Sequence, residues 1–547
     1  MEKLETKARQ LSQDFLINDQ QYRLGFIEAE QSNPLTARLG ETYVEDTIEG
    51  IRTLLRVDEV LADTFRKILH SPKFDDFARA VHESLHAGGR IVLSGCGSTG
   101  RLAMRLEASW RMAARSHPAT AHLEDRVLSL MTGGDYALIR AVESFEDYIQ
   151  LGRMQAQELS LGIHDILVGI TATGETTSIL GTASQALDDG ASVWMVICTE
   201  PGSILGKLKR ADDVYTHAAC SSLYIPCGGM SVTGSTRMQS STIEQALVGS
   251  ALELSLAKFL DEELDKQQLS DGFFSCITTL RQPDTLKAMA DQTELETLLY
   301  QDGGHVTYFA EEYLLDILAD TTERGPTFSV PPFRPQSRPH EPLSWAFVKN
   351  PCLSTIPAWI DCFQREPRCI CKTADEYAAL GILERDIQRI PNISKEALMA
   401  FEIGCEDDPE REQGQSLATW IGDEAPMPDA YFPQAARFRA TSRLTFDGRN
   451  IVKTRMKLFE HLTMKLLINN VSTGTMAKMG RISGNYMINL KISNKKLIDR
   501  ASRIVSDLCK VSYEEANYQL FLTKLMLERD GIIGSETQHT IQRLGRR

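Results

Sequence analysis

Three short runs of glycine and hydroxyl residues are the places where this 547-residue chain could hold an anion. Gly95-Cys96-Gly97-Ser98-Thr99-Gly100 follows an apolar run at 90–94 and leads into Arg101-Leu102-Ala103-Met104, a helical start. Thr171-Ala172-Thr173-Gly174-Glu175-Thr176-Thr177 follows a second apolar run at 165–170 and precedes a helical stretch to about Leu187. A loop between a strand and a helix aims backbone N–H groups and hydroxyls at a bound anion, and the helix dipole adds about half a positive charge. Gly97, Ser98, Thr99, Thr173, Gly174 and Thr176 are therefore candidate phosphate contacts. The third run, Val232-Thr233-Gly234-Ser235-Thr236-Arg237-Met238, adds Ser235, Thr236 and Arg237, whose guanidinium can pair bidentately with an oxyanion. Neither of the first two loops carries the Gly-Lys-Ser/Thr of a Walker loop, and their hydroxyls suit a phosphate monoester better than a dinucleotide. A tight turn with helix caps is the alternative for either loop alone. Two of them at successive strand ends place a crevice at the carboxyl edge of one sheet.

The elements that carry these loops alternate. A third apolar run at 192–198 continues the pattern, and strands alternating with helices imply a parallel sheet covered on both faces. The pattern begins again at Gly303-Gly304-His305-Val306-Thr307-Tyr308-Phe309-Ala310, between two helical stretches. Residues 330–450 are rich in Pro, Arg, Asp and Gln, show few clear strands, and read as long loops decorating a second sheet. The expected organisation is a helical segment at 1–85, an α/β unit with the phosphate loops at 86–265, a second α/β unit at 266–455, and a helical segment at 456–547.

Composition narrows the function. With 59 Lys and Arg against 74 Asp and Glu, the net charge of −15 argues against a nucleic-acid partner. The N-terminus is charged, without the apolar core of a signal peptide, and no apolar run approaches the ~18 residues of a membrane span. The eleven cysteines are scattered without a CxxC pair, which fits reduced thiols, a cytoplasmic location, and neither a structural metal nor a redox motif.

At these residues the chain resembles a known family. Gly95–Leu102 resembles the GAGTSGRL loop of the N-acetylmuramic acid 6-phosphate etherases, and Val232–Met238 resembles their VTGSSRM. Val471-Ser472-Thr473-Gly474, Gly480, Gly484-Asn485 and Ser493-Asn494-Lys495-Lys496-Leu497 resemble their STG…GK..GN…TNEKL segment, and Glu30-Gln31-Ser32-Asn33-Pro34 resembles their N-terminal motif. Those etherases carry one sugar-isomerase-type (SIS) domain per chain and pair as dimers. Here about 230 residues separate VTGSTRM from STG, a layout similar to the duplicated glucokinase regulatory protein family. The resemblance implies two SIS-type three-layer α/β domains with parallel sheets.

It also implies where the chemistry lies. Ether cleavage needs one carboxylate to take a proton beside the latent aldehyde and another to help the lactyl oxygen leave and then activate water. Ala141-Val142-Glu143-Ser144-Phe145-Glu146-Asp147 resembles AVEGAEDS and puts one carboxylate at Glu146. In the first unit the DASECPPTYG position of the other is Ser109, with Glu107 facing elsewhere on the helix. Asp320-Thr321-Thr322-Glu323-Arg324-Gly325-Pro326 in the second unit resembles that motif instead, so Glu146 and Glu323 are the catalytic candidates of a composite site. Ordinary surface helix residues are the alternative for both. Lys496 is placed at the ligand phosphate by the same resemblance, whereas Glu175 and Gln239 replace basic residues of the etherase pattern. The resemblance implies no cofactor. The implied partners are a phosphorylated sugar, N-acetylmuramic acid 6-phosphate or fructose 6-phosphate, and, in the regulatory alternative, a sugar kinase. Aldose–ketose isomerisation is weaker, since no histidine falls in the motifs.

Overall fold

The computed structural model describes residues 2–334, 340–388, 393–403, 414–424 and 426–545. Five parallel strands make the first sheet: β1 Ile91–Gly95, β2 Val127–Met131, β3 Ile166–Ile170, β4 Ser192–Ile197 and β5 Cys220–Tyr224, in the order β2-β1-β3-β4-β5. β1 and β3 are apolar and buried along their whole length, as strands covered on both faces must be. A second parallel sheet has the order β7-β6-β8-β9, from β6 His305–Phe309, β7 Ala346–Lys349, β8 Ser416–Asp423 and β9 Ala440–Phe446. Its strand order repeats that of β2-β1-β3-β4, so the fold is two α/β units of one topology, the second showing no counterpart of β5 among the described residues. The stretch 330–450, which reads as loops, supplies three of the four strands of the second sheet.

Two long helices join the sheets through the centre. Gln239–Phe259 and Leu458–Lys478 are buried on nearly all sides, polar residues such as Ser240, Glu244, Thr463 and Ser472 included. Each follows a Thr-Arg-Met triplet, at 236–238 and 454–456, a second mark of duplication in the sequence. Helix Thr47–Leu69 completes this core, opened by Asp46, whose carboxylate accepts from Glu49 N at 3.0 Å. The chain ends come together: helix Glu2–Asn18 packs Ala8 and Phe15 on Phe521, Leu522 and Leu525 of helix Tyr513–Asp530. Among the described residues, no helix is long and apolar enough to cross a membrane.

Candidate functional site

All three hydroxyl runs meet at the carboxyl edge of the first sheet. Gly97 sits at φ +57° and opens the helix Ser98–Arg115, so the turn that exposes the loop to a ligand uses a backbone conformation L-residues rarely take. Thr99 Oγ1 accepts from Cys96 N at 3.0 Å and donates to Cys96 O at 2.9 Å, which stiffens that turn. Ser98 Oγ lies 3.2 Å from Thr236 Oγ1, which joins the first loop to the third. In the second loop Thr171 and Thr176 hydroxyls lie 2.8 Å apart. Gly234, at φ +74°, lets Arg500 lie against the third loop; a Cβ there would fall 2.4 Å from Arg500 Nε.

A cleft with a cavity volume of about 100 Å³ opens among these loops. Gly97, Ser98, Thr99, Thr173, Thr176, Ser235, Thr236, Glu146, Glu323 and Lys496 all line it. Two expected contacts do not. Gly174 turns the second loop at φ +72°, and its carbonyl accepts from Tyr215 Oη at 2.8 Å. Arg237 turns inward: its guanidinium meets Asp320 Oδ1 at 3.0 Å, Asn469 Oδ1 at 3.2 Å and the hydroxyls of Ser472 and Thr473 at 3.1 and 2.8 Å. A buried carboxylate on the second unit claims the cation that the loop sequence offers to a phosphate.

The carboxylates reach the cleft from different parts of the chain. Glu323 stands on helix Leu314–Phe328 of the second unit and is gripped by Arg101, which also donates to Ala137 O at 3.1 and 2.6 Å. Arg101 follows the glycine loop by one residue, and its role as positioner of Glu323 was not read from the sequence. Glu146 lies in the short turn Glu143–Asp147 and meets Lys496 Nζ at 3.3 Å and Asn494 Nδ2 at 3.5 Å. Beside it, burial and then the Glu146 charge push the Asp147 carboxyl up to about 7.

Lys496 belongs to helix Lys495–Cys509, which closes the cleft together with Met487 and Leu490. Its ammonium lies 3.3 Å from Glu146, 3.8 Å from Glu175 and 4.0 Å from Glu30; burial pulls its pKa down, but these carboxylates outweigh that and hold it above the ordinary lysine range. Glu175 is also paired with Arg210, and Gln239 faces Ser231 and Gly229, so neither leaves a bare acidic or neutral patch in the cleft. Glu30 anchors the closing helix from below by accepting from Arg500 at 2.9 and 2.5 Å and from Arg503 at 2.8 Å. Asn485 ties the same segment to the loops, accepting from Thr233 and Ser32 and donating to Asn33 O and Thr36 Oγ1 at 3.0 Å each.

Gly95, Gly97 and Gly100 have the G-x-G-x-x-G spacing of a dinucleotide loop, so glycine spacing alone does not separate the two ligand classes. A dinucleotide site of that kind carries an acidic residue about 20 residues on for the ribose. Here Glu124 and Asp125 stand nearest that spacing, but they pair with Arg115 and Arg111 at 2.5 Å each and neither lines the cleft. Among the described residues no three His, Cys, Asp or Glu side chains gather as a metal site requires.

A duplicated parallel α/β fold with hydroxyl loops gathered at one sheet edge is an arrangement suited to a small anionic ligand. Residues 75–187 match the glucokinase regulatory protein N-terminal SIS domain, and residues 484–538 match the C-terminal lid domain of glucokinase regulatory protein. Among curated proteins the chain is 33% identical over 205 residues to the N-acetylmuramic acid 6-phosphate etherase of Aliivibrio fischeri, 38% of this chain and 62% of the relative. It is 30% identical over 219 residues to that of Aeromonas hydrophila, 40% and 66%, and 29% identical over 226 residues to etherase 1 of Bacillus licheniformis, 41% and 67%. The chain thus spans about two thirds or less of the length of these relatives. A solved tagatose-6-phosphate ketose/aldose isomerase from Escherichia coli aligns over 81% of this chain and 94% of its own at 12% identity and a TM-score of 0.40, too distant to bear on the site. The family resemblance carried by the motifs is borne out by these matches.

Proposed function

We propose that the chain is an etherase-type lyase that releases D-lactate from N-acetylmuramic acid 6-phosphate. The observation that carries this reading is that Glu146 and Glu323, from different units, line one cleft with Ser98, Thr173 and Ser235. In this reading the hydroxyls and Lys496 hold the phosphate. One carboxylate takes the proton from C2 of the open-chain aldehyde; the other gives a proton to the C3 ether oxygen as that bond breaks, leaving lactate and a C2=C3 unsaturated aldehyde. Arg101 keeps Glu323 fixed in direction, which such proton transfer requires. Met131, Val142, Pro326, Met487, Leu490 and Leu497 give the cleft an apolar wall. That wall suits a sugar bearing acyl and lactyl groups better than a bare hexose phosphate.

A second reading is favoured by the matches at 75–187 and 484–538 and by the duplicated layout: a hexose-phosphate sensor that binds a sugar kinase. Its control would come from unequal ligand affinity for two arrangements of the closing helices. Incubation with N-acetylmuramic acid 6-phosphate and measurement of lactate separates the two. The etherase reading expects turnover that both Glu146→Gln and Glu323→Gln lower by at least about a hundredfold. Absence of lactate, with fructose 6-phosphate binding unchanged in Glu323→Gln, favours the sensor.

A further inference from the structure

Three cations line the cleft: Arg101, Lys496 and Arg500. Arg101 is committed to Glu323 and to Ala137 O, and Arg500 grips Glu30 with two nitrogens at 2.9 and 2.5 Å. The Lys496 ammonium is engaged more lightly. It has three N–H donors, and among the described residues only Glu146 Oε1, at 3.3 Å, comes within hydrogen-bonding distance. Glu175 at 3.8 Å and Glu30 at 4.0 Å add charge without a hydrogen bond. Lys496 is thus a cleft cation with donors left for a phosphate gathered by Ser98, Thr173 and Ser235.

Its one hydrogen-bond partner is also one of the two carboxylates proposed for the chemistry. Glu146 is held at both ends, Oε1 by Lys496 and Oε2 by Asn494 Nδ2 at 3.5 Å. Asn494 caps the closing helix, its Oδ1 accepting from Leu497 N at 2.8 Å, so one residue fixes both the helix start and one oxygen of Glu146. An oxygen turned to an ammonium is poorly placed for either role in ether cleavage. As a base it must leave Lys496 to reach the proton on C2; as an acid it must carry a proton where a cation already stands. A phosphate dianion attracts that cation more strongly than one carboxylate does, with more charge and more acceptor oxygens. We propose that Lys496 is a phosphate-operated latch on Glu146: it holds the carboxylate until a phosphate arrives, and the phosphate then draws the ammonium away and frees Oε1 for proton transfer, while Asn494 keeps the group in place. The inference rests on the etherase reading and concerns the control of that same site. No bond beyond those of the proposed reaction is made or broken; the phosphate switches the chemistry on as well as anchoring the sugar.

Cutting the substrate in two tests this on the full chain. N-acetylmuramic acid supplies the sugar without its phosphate, and inorganic phosphite supplies a small dianion. Lactate release from the unphosphorylated sugar is expected to rise at least about tenfold at saturating phosphite. Lys496→Met keeps the length of the side chain and removes its charge and donors. It is expected to lose the stimulation and, without phosphite, to release lactate from the unphosphorylated sugar about tenfold faster than the unaltered chain, because nothing then holds Glu146 back. A lysine that only anchors the phosphate gives no such gain; that outcome overturns the proposal, and so does phosphite that inhibits or does nothing. A crystal structure of the unaltered chain with bound phosphite keeps the test independent of how the variant folds. Lys496 Nζ is expected within hydrogen-bonding distance of the anion and more than about 4 Å from Glu146 Oε1. Phosphite bound with the Lys496–Glu146 pair intact refutes the latch. If the unaltered chain releases no lactate from N-acetylmuramic acid 6-phosphate, the etherase reading fails by itself, and the crystal structure still decides whether the anion moves the lysine.

Discussion

Replacing Glu30 by Gln is expected to loosen the closing helix Lys495–Cys509 without unfolding either sheet. Glu30 is fully buried and accepts from Arg500 and Arg503, with Lys496 at 4.0 Å. Burial pushes its carboxyl up, but Arg500, Arg503 and Lys496 outweigh that and bring it from 4.5 down to about 2. At 1.36 kcal/mol per pKa unit, this is worth about 3 kcal/mol, near the cost of removing one partner of a buried ion pair. A loss of that size raises the opening equilibrium of the helix by roughly a hundredfold. Hydrogen exchange resolved by peptide reads it directly: protection over 495–509 falls by that factor at neutral pH, while β1 and β3 keep theirs. The pH dependence has a definite sign. A carboxyl held low in the fold stabilises above its ordinary range near 4.5 and loses that contribution as pH falls toward 2. The gap between unaltered and Glu30→Gln chains therefore stays constant from neutral pH to about 5 and closes below about 4. A change under about threefold in 495–509, or an equal loss across the whole chain, refutes the reasoning.

Three further outcomes are expected. Gly95→Ala puts a Cβ 2.4 Å from Gly100 N, which must displace the first loop, so hexose-phosphate affinity by calorimetry falls more than about tenfold while the melting temperature drops only modestly. Burial pushes the Glu107 carboxyl up, yet Arg365 and Arg368 bring it down to about 2, so Glu107→Gln should cost about 3 kcal/mol and lower the thermal midpoint. Burial lowers Lys465 to about 8 against the pull of Asp58. The unfolded chain then holds more protons between about pH 8 and 10.5, so the unaltered chain should gain thermal stability relative to Lys465→Met as pH rises through that window.

The central strands and their loops were legible because they are apolar runs cut short by Gly, Ser and Thr. β2 and β5 were not, since both lie at sheet edges, and β5 spells Cys-Ser-Ser-Leu-Tyr with a single buried residue. β9 hid for the same reason: an edge strand whose outer residues are polar carries little hydrophobic signal. The Thr-Arg-Met repeat at 454–456 was in plain view and would have marked the second unit more firmly than the weak strand at 305–309. Arg237 was misassigned because its partner, Asp320, lies 83 residues away on another unit, and no local pattern announces such a pairing. Residues gathered at the cleft from the motifs share a local cause, loops after strands; Arg101 and Glu30 act through long-range partners and needed the fold.

The chain between the second sheet's β7 and β8 crosses back to the first unit and locks there. Arg365 meets Glu107 at 3.0 Å and Asp135 at 2.5 Å, Arg368 meets Glu107 at 2.7 Å, the Arg368 backbone N–H donates to the Asp135 carboxylate at 2.6 Å, and the Asp135 backbone N–H donates to Arg368 O at 2.8 Å. Prising the halves apart would take Arg365 from Asp135 and both Arg365 and Arg368 from Glu107, leaving Glu107 only Arg111 and Ser129, and stripping partners from a buried charge costs about 3–5 kcal/mol. Parting the halves is therefore a costly way into the cleft. Met487, Leu490 and Lys496 line its other side, so under the proposed function a ligand is expected to enter by movement of the C-terminal segment.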